Sequence, residues 1–376
     1  MKQDDWFETL EFAHQTLAWE VPDTRRRFLS ALTALEKVLD EGVGPRGFSA
    51  IPGLHGFRYH AARLSADERQ WAERLCARLW KSTGTGRTYA EETLMGVVGV
   101  QASPDSLPFF HAAVETSRER DSFQIRRRRM AVASVAFIAH RTGDAAAHAQ
   151  LEAWLFHPDV TVRTEAVALH GRIHLREHGR LEGPALAALT RVAYEDRAFA
   201  PRFLARGWMH SSGVPVRVEP PEGVYAFKAS LGRVSRTVEL TASQSLYDLA
   251  ASILNALGWD HEHLYEFALT GDLQDRRFIL PNPDVDQTPL GFFEMLDEDD
   301  AQEPVEDSGS LDPMALPLGA FGFTRGHTFI FRYDFGDDHR FRVKVADIHE
   351  HRHPRSKYPR VVARTGKAPE QYPRYD

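Results

Sequence analysis

Four side chains in the C-terminal part of the chain are of the types that carry out acid–base or metal chemistry. They are two imidazoles, His263 and His339, and two carboxylates, Asp334 and Asp337. Imidazole and carboxylate groups suit divalent metals, and hydrolytic sites use such groups. No ligand pair has a diagnostic interval such as His-x-x-x-His, so the residue types permit a hydrolytic site without establishing one.

Two of these residues also have a structural interpretation. His263 alternates with Tyr265 and Phe267 in a strand pattern, which favours a hydrogen-bonded histidine in the core. Asp334 is predicted to lie opposite Arg340 across a hairpin. An ion pair of that kind at a surface contributes little to stability.

A second group of histidines occupies alternate positions at His349, His351 and His353. On a strand, this alternation would place three imidazoles on one side, where Zn²⁺ or Ni²⁺ could bind. The polar end of a strand is the alternative interpretation. No cofactor is expected from the sequence otherwise, and a divalent metal is the one that these residues allow.

A basic run, Arg126-Arg127-Arg128-Arg129, opens a predicted helix in the first half of the chain. The four arginines could bind phosphate, which makes nucleic acid a candidate partner. A solvated helix face, with one arginine making a contact between helical repeats, is the alternative and the commoner role of an isolated basic run.

Composition restricts the class of protein and favours certain partners. The single cysteine, Cys76, excludes an intrachain disulfide and suits a reducing compartment. The chain has no run of about 18 apolar residues, and its acidic start has no apolar signal core, so we expect a cytoplasmic protein without a membrane partner. Residues 1–210 hold 28 basic and 26 acidic residues, and the remainder holds 18 and 27. Because an acidic half is a poor general surface for nucleic acid, this balance favours protein or small-molecule partners.

The elements that would carry these residues differ between the two halves. In residues 1–210, apolar side chains recur at helical spacing, as in the stripe from Phe28 to Leu39. Ser65 is predicted to cap a helix that follows it. Residues 131–136 match residues 166–171 at an offset of 35, a period typical of helical-repeat solenoids.

The stretch from His157 to Ala166 resembles the turn and second helix of a HEAT repeat. In that family an aspartate and an arginine tie adjacent repeats together, and Asp159 and Arg163 stand at the matching positions. We therefore expect a HEAT-like solenoid, with the likeness covering roughly residues 100–210.

The apolar period changes from 3.6 to 2 across residues 211–223, which contain glycine and proline and are predicted to be a linker. Apolar residues then alternate over residues 225–231 and 234–240. A two-residue turn at Gly232-Arg233 pairs Leu231 with Val234 and brings every apolar residue onto one face. This pattern predicts a β-hairpin.

A helix and a third strand are predicted to follow. Residues 245–248, Ser-Leu-Tyr-Asp, fit a capping box, and Gly258 is predicted to end the helix. Alternation over residues 263–269 predicts the strand. Residues 270–327 break the pattern with prolines and the acidic run 297–300, and are predicted to be a long, acidic, partly disordered insertion.

The last two strands are predicted from alternating apolar residues at positions 329–335 and 341–345. An odd number of turn residues keeps both apolar sets on one face, and Gly336-Asp337-Asp338 is the natural choice. This turn would place Tyr333 opposite Phe341.

Three ordered motifs carry a resemblance to a known family. Residues 258–267, Gly-Trp-Asp-His-Glu-His-Leu-Tyr-Glu-Phe, and residues 333–337, Tyr-Asp-Phe-Gly-Asp, resemble the two signature stretches of the plasmid pRiA4b open-reading-frame-three-like family. Residues 358–360 and 368–372 resemble its closing segment, so the likeness spans about residues 222–376. Its members are described as passengers of insertion elements or as TnpR-like, without a settled activity.

The resemblance makes Trp259 and Tyr333 candidate binding residues, although Trp259 directly after a helix end is also typical of a core side chain. The chain departs from the family pattern at one place. Members usually have tryptophan two residues after the last motif aspartate and histidine two residues later, where this chain has His339 and Phe341. A family site that uses that pair is therefore not implied here.

The predicted architecture is multidomain, with an all-α HEAT-like solenoid over residues 1–210, a linker over 211–223 and an α+β domain over 224–376. The α+β domain is expected to contain a hairpin, a helix, a strand and a second hairpin around a mostly antiparallel sheet.

Two functions of different kinds fit this architecture. The first is a non-catalytic adaptor, whose repeats present a surface to a macromolecular partner and whose C-terminal domain provides a second binding site, with a link to a mobile element. The second is a metal-dependent hydrolase or nuclease that acts on nucleic acid through the carboxylates of the Gly336 turn with His263 or His339. The adaptor is favoured because it needs no catalytic site.

Overall fold

The structure is a computed structural model that describes residues 5–17, 22–42, 47–51, 54, 62–83, 85–116, 122–282 and 313–372. Its contacts divide the chain into two compact units, Met1–Ile173 and His174–Asp376. No helix in these described stretches is long and apolar enough to cross a membrane, as the sequence predicts.

The first unit is helical, as its apolar period predicts. Its helices are α1 (Trp6–Thr16), α2 (Pro22–Glu41), α3 (Ala66–Leu79), α4 (Arg87–Val100), α5 (Leu107–Glu115), α6 (Ser122–Thr142), α7 (Ala145–Trp154) and most of α8 (Val160–His178). Helix α6 packs against α1, α4, α5 and α7. Its residues 130–139 are all buried, because this stretch is apolar or small on every side. The helical content is confirmed, whereas a solenoid stacking of these helices stays a prediction.

Local sequence signals explain where these helices begin and what they bury. The hydroxyl of Ser65 accepts a hydrogen bond from the Glu68 N–H at 3.3 Å, and the Glu68 carboxylate accepts one from the Ser65 N–H at 2.8 Å. This capping box confirms the predicted start of α3. On α2, Phe28, Leu32 and Leu35 from the predicted stripe are fully buried.

In its described residues the second unit combines an antiparallel sheet with the end of α8 and three further helices. The helices are α9 (Gly183–Glu195), α10 (Phe199–Ser211) and α11 (Leu246–Leu257). The strands are β1 (Val224–Leu231), β2 (Val234–Thr241), β3 (Tyr265–Ala268), β4 (Ile279–Pro281), β5 (Thr328–Tyr333), β6 (His339–His349) and β7 (Arg360–Thr365). The seven strands have the order β4-β3-β5-β6-β1-β2-β7, and α11 packs on β2. The predicted α+β region with an antiparallel sheet is confirmed.

Helices α9 and α10 belong to the same compact unit as the sheet. The guanidinium of Arg202 donates to the carbonyl of Gly322 at 2.7 Å, and Arg206 donates to the carbonyl of Ala320 at 3.2 Å. These bonds attach α10 to the segment that precedes β5. The change from helix to strand lies between α10 and β1, inside the predicted linker 211–223. The boundary between the two compact units is earlier in the chain, between Ile173 and His174.

The first hairpin and α11 follow their sequence signals closely. Leu231 pairs with Val234 across β1 and β2, and Phe227 pairs with Val238, as the two-residue turn predicts. The α11 capping box forms at Ser245, whose hydroxyl accepts from the Asp248 N–H at 3.2 Å. Both predictions are confirmed because each rests on a local signal with one geometric solution.

The predicted register of the second hairpin is wrong. Phe331 pairs with Phe341 and Tyr333 with His339, so Asp334 does not lie opposite Arg340. The turn has five residues rather than three, because Asp334 and Asp338 both adopt left-handed backbone, with φ of 55° and 52°. Aspartate is one of the few residues other than glycine that adopt this conformation.

Part of the predicted insertion at 270–327 is regular structure. A 3₁₀ turn, Arg276–Phe278, leads into β4, which pairs with β3. Phe278, Ile279 and Leu280 are buried, so the prediction of an irregular loop is wrong for these residues. Pro281 is compatible with a strand there because β4 lies at the edge of the sheet. The acidic run 297–300 lies outside the described residues.

A partly buried imidazole near this edge makes the stability of the second unit depend on pH. His327 stacks on the ring of Phe199 at 4.1 Å, and its Nε2 is 2.8 Å from the carbonyl of Leu269. Burial lowers the pKa of His327 from 6.5 to about 4, and the charge of Arg202 adds to that effect.

We expect the free energy of unfolding to fall as the pH drops from 6.5 to 4. In this window the unfolded chain binds a proton on His327 that the folded chain does not, which lowers stability by up to about 3 kcal/mol. Urea unfolding of wild type and His327→Gln across this range tests it, because the variant lacks this contribution. His349→Gln, which changes an exposed histidine, serves as the control. Identical pH profiles for wild type and His327→Gln would contradict the prediction.

Candidate functional site

The carboxylate of Asp260, in the loop between α11 and β3, is the centre of a hydrogen-bond network. Its Oδ2 accepts from the hydroxyl of Tyr372 at 2.7 Å. Its Oδ1 accepts from the amide of Gln371 at 2.7 Å, and the hydroxyl of Tyr333 shares its one proton between Oδ1 at 3.1 Å and the backbone carbonyl of Asp260 at 2.9 Å. The Glu262 N–H also donates to Oδ1, at 3.2 Å. One carboxylate therefore collects donors from the loop itself, from the end of β5 and from the C-terminal segment.

These donors fix the protonation states of the network. The hydrogen bond from Tyr372 contributes most to lowering the pKa of Asp260 from 3.8 to about 2. The same bond raises the pKa of Tyr372 from 10.0 to about 12. Burial, with the bond to Asp260, also raises the pKa of Tyr333. Because a general acid or base works best with a pKa near the working pH, these three groups are poorly suited to proton transfer at neutral pH.

The C-terminal segment 368–372 packs over the loop that carries Asp260. The indole N–H of Trp259 donates to the carbonyl of Pro369 at 3.0 Å, and the Asp260 N–H donates to the side-chain oxygen of Gln371 at 2.8 Å. The Trp259 ring is buried 6.1 Å from the ring of Tyr333. The structure thus places both predicted binding residues, Trp259 and Tyr333, in the interior.

His263 connects the network to the turn between β5 and β6. It precedes β3, which begins at Tyr265, so its predicted place within a strand is wrong. Its side chain is 34% exposed, with Nδ1 3.5 Å from the carboxylate of Asp334. Its Nε2 lies 2.9 Å from the hydroxyl oxygen of Tyr372. Since Tyr372 donates its one hydroxyl proton to Asp260, His263 is the donor in this contact.

The remaining candidates lie on the same turn. The carboxylate of Asp334 is buried and accepts from the N–H groups of Gly336 at 2.9 Å and Asp337 at 3.3 Å, which stabilises the turn. The carboxylate of Asp337 is 3.9 Å from Nε2 of His339. The four predicted catalytic residues therefore form two separate pairs, His263 with Asp334 and Asp337 with His339.

The second group of histidines does not share a strand face. Strand β6 ends at His349, and the chain turns at Glu350, so His351 and His353 lie beyond the strand. The predicted alternation of three imidazoles on a strand is wrong for this reason. Over the whole described part of the chain, no three His, Cys, Asp or Glu side chains are grouped to hold a metal ion.

The basic run on α6 makes ion pairs inside the helical unit. The four pairs are Arg126 with Glu92 at 3.0 Å, Arg127 with Glu91, Arg128 with Asp159 at 2.6 Å, and Arg129 with Glu165 at 2.8 Å. Only Arg126 keeps a half-exposed side chain. The run therefore joins α6 to neighbouring segments rather than forming an exposed cationic surface.

Sequence reasoning missed three central residues, Asp260, Gln371 and Tyr372. All three lie in stretches that were singled out only for their likeness to a family. No periodicity marks them, because they meet through polar contacts between distant parts of the chain. The one signal that could have identified them is that two separate family motifs, residues 258–267 and 368–372, both contain side chains that form hydrogen bonds.

Comparison with known proteins finds a family resemblance in the second unit. Residues 226–371 match the model of the family described as Plasmid pRiA4b ORF-3-like protein, which confirms the resemblance for the C-terminal region. A solved structure of a protein of unknown function from Methanosarcina mazei Go1 is 20% identical to this chain, with a TM-score of 0.28. That alignment covers 40% of this chain and 73% of the other. No curated protein matches.

We expect Tyr333→Phe to lower the free energy of unfolding by about 1–2 kcal/mol, because it removes a buried hydroxyl that donates to Asp260. Urea unfolding measures this change. The control is Asp337→Asn, which alters an exposed carboxylate on the adjacent turn and is expected to have little effect. A loss in the control equal to that in Tyr333→Phe would contradict a special role for the network.

Proposed function

We propose that this chain is a non-catalytic binding protein. In this proposal the helical unit presents a surface to a macromolecular partner, and the C-terminal unit provides a second binding site. The observation that carries it is the network around Asp260. Tyr333, Gln371 and Tyr372 bond to that one carboxylate, so these motif side chains hold the fold together instead of presenting reactive groups.

A cleft in the helical unit supports a partner surface there. It has a volume of about 500 Å³, and its lining includes Arg87, Tyr89, Phe123 and Arg126. The side chains of Tyr89 and Phe123 are 57% and 46% exposed, which is unusual for large aromatic residues. Tyrosine and arginine are enriched among the residues that contribute most to binding at protein interfaces.

An ion pair between helices supports the HEAT-like scaffold. Arg128 stands at the position equivalent to Arg163 in the predicted repeat. Its guanidinium contacts the carboxylate of Asp159 at 2.6 Å, and Asp159 in turn accepts from the N–H groups that begin α8. A contact between an arginine of one repeat and an aspartate of the next is the tie that such repeats use. Solenoids of this type offer extended surfaces for partners.

The family match supports the rest of the proposal indirectly. The family is named after a plasmid reading frame, which favours a link to mobile elements. We propose cytoplasmic localisation from the single, buried cysteine, which suits a reducing compartment.

Removing the aromatic side chains of the cleft tests the helical surface. We expect Tyr89→Ala with Phe123→Ala to lose proteins that the wild type captures from its native cell, because the exposed rings supply the contact area. Quantitative mass spectrometry of the captured proteins is the measurement. Phe12→Ala, which removes another exposed aromatic side chain of the same unit, is the matched control. Capture that is the same with all three proteins would argue against this surface.

The hydrolase alternative has its own test. We expect the wild type to leave single-stranded and double-stranded nucleic acid intact in the presence of Mg²⁺, Mn²⁺ or Zn²⁺, since His263 and Asp334 are engaged in structural contacts. Gel electrophoresis of labelled substrates measures cleavage. If the wild type cleaves nucleic acid with a metal ion and His263→Ala abolishes that cleavage, the protein is an enzyme and the proposal of a non-catalytic binding protein is wrong.

A further inference from the structure

Along β1, β5 and β6, buried side chains alternate with more exposed ones. One face of the sheet therefore carries mostly charged and polar side chains. On β6, Phe341 and Val343 are buried, whereas Arg342 and Lys344 are exposed. The same alternation on β1 and β5 places their polar residues on that side. We call this side the outer face, formed by Lys228, Ser230, Thr328, Ile330, Arg332, Arg340, Arg342 and Lys344.

Three cations lie next to one another on the outer face. Lys228 on β1 and Lys344 on β6 are direct partners across the two strands. Arg342 is two residues from Lys344 on β6 and pairs with Ser230 of β1. Like charges placed directly opposite each other destabilise a sheet. Their proximity therefore has a cost in stability that an anionic ligand would offset.

These three cations have no carboxylate partner among the residues that the structure describes. Other arginines engage the carboxylates on or beside this face, in the pairs Asp338 with Arg332 and Arg340, Glu266 with Arg332, Glu239 with Arg360 and Asp347 with Arg325. Within the described part of the chain, Lys228, Arg342 and Lys344 are thus the cations of this face that no carboxylate engages.

The acidic balance of this half of the chain does not come from the sheet. Of the 27 acidic residues in positions 211–376, 11 lie in residues 283–312, which contain no lysine or arginine. The rest of this half holds 18 basic and 16 acidic residues. The acidic balance of this half therefore comes from residues 283–312, and the residues outside that range are close to balanced in charge.

We propose that the outer face binds the phosphate backbone of single-stranded nucleic acid, with Lys228, Arg342 and Lys344 as the phosphate contacts. This inference rests on the proposed binding function, because it names the ligand of the second site. Hydroxyl groups of Ser230 and Thr328 lie beside these cations in the sheet. Serine and threonine commonly add hydrogen bonds to phosphates that lysine and arginine hold.

The spacing of the cations favours a nucleic-acid strand. Successive outward residues of β6 are about 7 Å apart, because each residue of a strand advances about 3.3 Å. Lys228 lies beside Lys344 rather than in line with Arg342 and Lys344, so the three cations form a compact group that can contact neighbouring phosphates of one strand. A membrane surface would call for more apolar side chains than Ile330, the one apolar member of the outer face, and the test below includes polyglutamate to represent an acidic protein surface.

A cleft beside the cations offers a place for bases. It has a volume of about 640 Å³, and its lining includes Ile330, Arg332, Phe335 and Arg340 together with the carboxylates of Glu266 and Asp272. The guanidinium of Arg332 lies 4.8 Å from the centre of the Phe335 ring. Unpaired bases stack on aromatic rings and arginine planes, whereas bases in a duplex are not available for such contacts. This favours a single strand over a duplex.

The test is the combined variant Lys228→Gln, Arg342→Gln and Lys344→Gln. We measure fluorescence anisotropy with labelled single-stranded DNA and RNA oligonucleotides, from about 50 mM to 200 mM salt. The wild type is expected to bind with a strong salt dependence, and the variant to bind roughly 10- to 100-fold more weakly with a shallower salt slope. Because like-charge repulsion is relieved, the variant is expected to be at least as stable as the wild type.

The matched control replaces three exposed cations of the same unit that lie outside β1, β5 and β6, as Arg355→Gln, Lys357→Gln and Lys367→Gln. It has the same net charge as the test variant, and we expect it to keep wild-type affinity. Three results would overturn the inference. They are no binding at the lowest salt, an equal loss in the control, and preference for duplex DNA, polyglutamate or anionic lipid vesicles over the single strand.

Failure of this inference and failure of the proposed function give different results. If the oligonucleotides do not bind but protein capture still depends on Tyr89 and Phe123, the proposed binding function is supported and the nucleic-acid site on the outer face is wrong. If the single strand is bound and then cleaved, the nucleic-acid site on the outer face is supported and the non-catalytic function is wrong.

Discussion

One ionised carboxylate, that of Asp260, joins three distant segments of the second unit. The carboxylate of Asp260 is partly exposed, and hydrogen bonds from the protein hold it in one position and keep it ionised. Tyr333, Gln371 and Tyr372 supply those bonds, and each of them can do so only when the end of β5 and the C-terminal segment are in place. The network therefore couples the loop after α11, the end of β5 and the C-terminal segment, as hydrogen-bond networks do. Its polar side chains resemble an active site in type, although their contacts fix the positions of chain segments.

The two hairpins show what apolar alternation can and cannot predict. For β1 and β2 it specified the register, because the Gly232-Arg233 turn had the residues of a two-residue connection and any one-residue slip would expose the core face. For β5 and β6 it required only an odd number of turn residues. Turns of three and five residues satisfy that requirement equally. The longer turn forms because Asp334 and Asp338 adopt left-handed backbone and the Asp334 carboxylate bonds to the following N–H groups, which alternation does not encode.

The candidate site was less predictable than the fold for a related reason. Helix caps such as Ser65 and Ser245 act over three residues, so a local motif is sufficient to identify them. The contacts of Asp260 with Gln371 and Tyr372 join positions more than 100 residues apart in the chain. Hydrophobic periods place apolar side chains on faces, yet they say nothing about which polar groups meet at the end of a sheet. Only the likeness to a family grouped these stretches together, and it assigned them no physical role.

The geometry of helices and strands explains why the basic run and the basic face have opposite properties. Four consecutive residues on a helix point in four directions around its axis, since successive side chains are rotated by about 100°. Each arginine of residues 126–129 therefore meets a different carboxylate, and the run disappears as a cationic surface. In a sheet, alternate residues share a face, and antiparallel pairing brings Lys228 beside Lys344 although they are far apart in the sequence. A cluster of charge in the sequence can thus overstate what a helix exposes, and a sheet can assemble a charged surface from residues that no local pattern brings together.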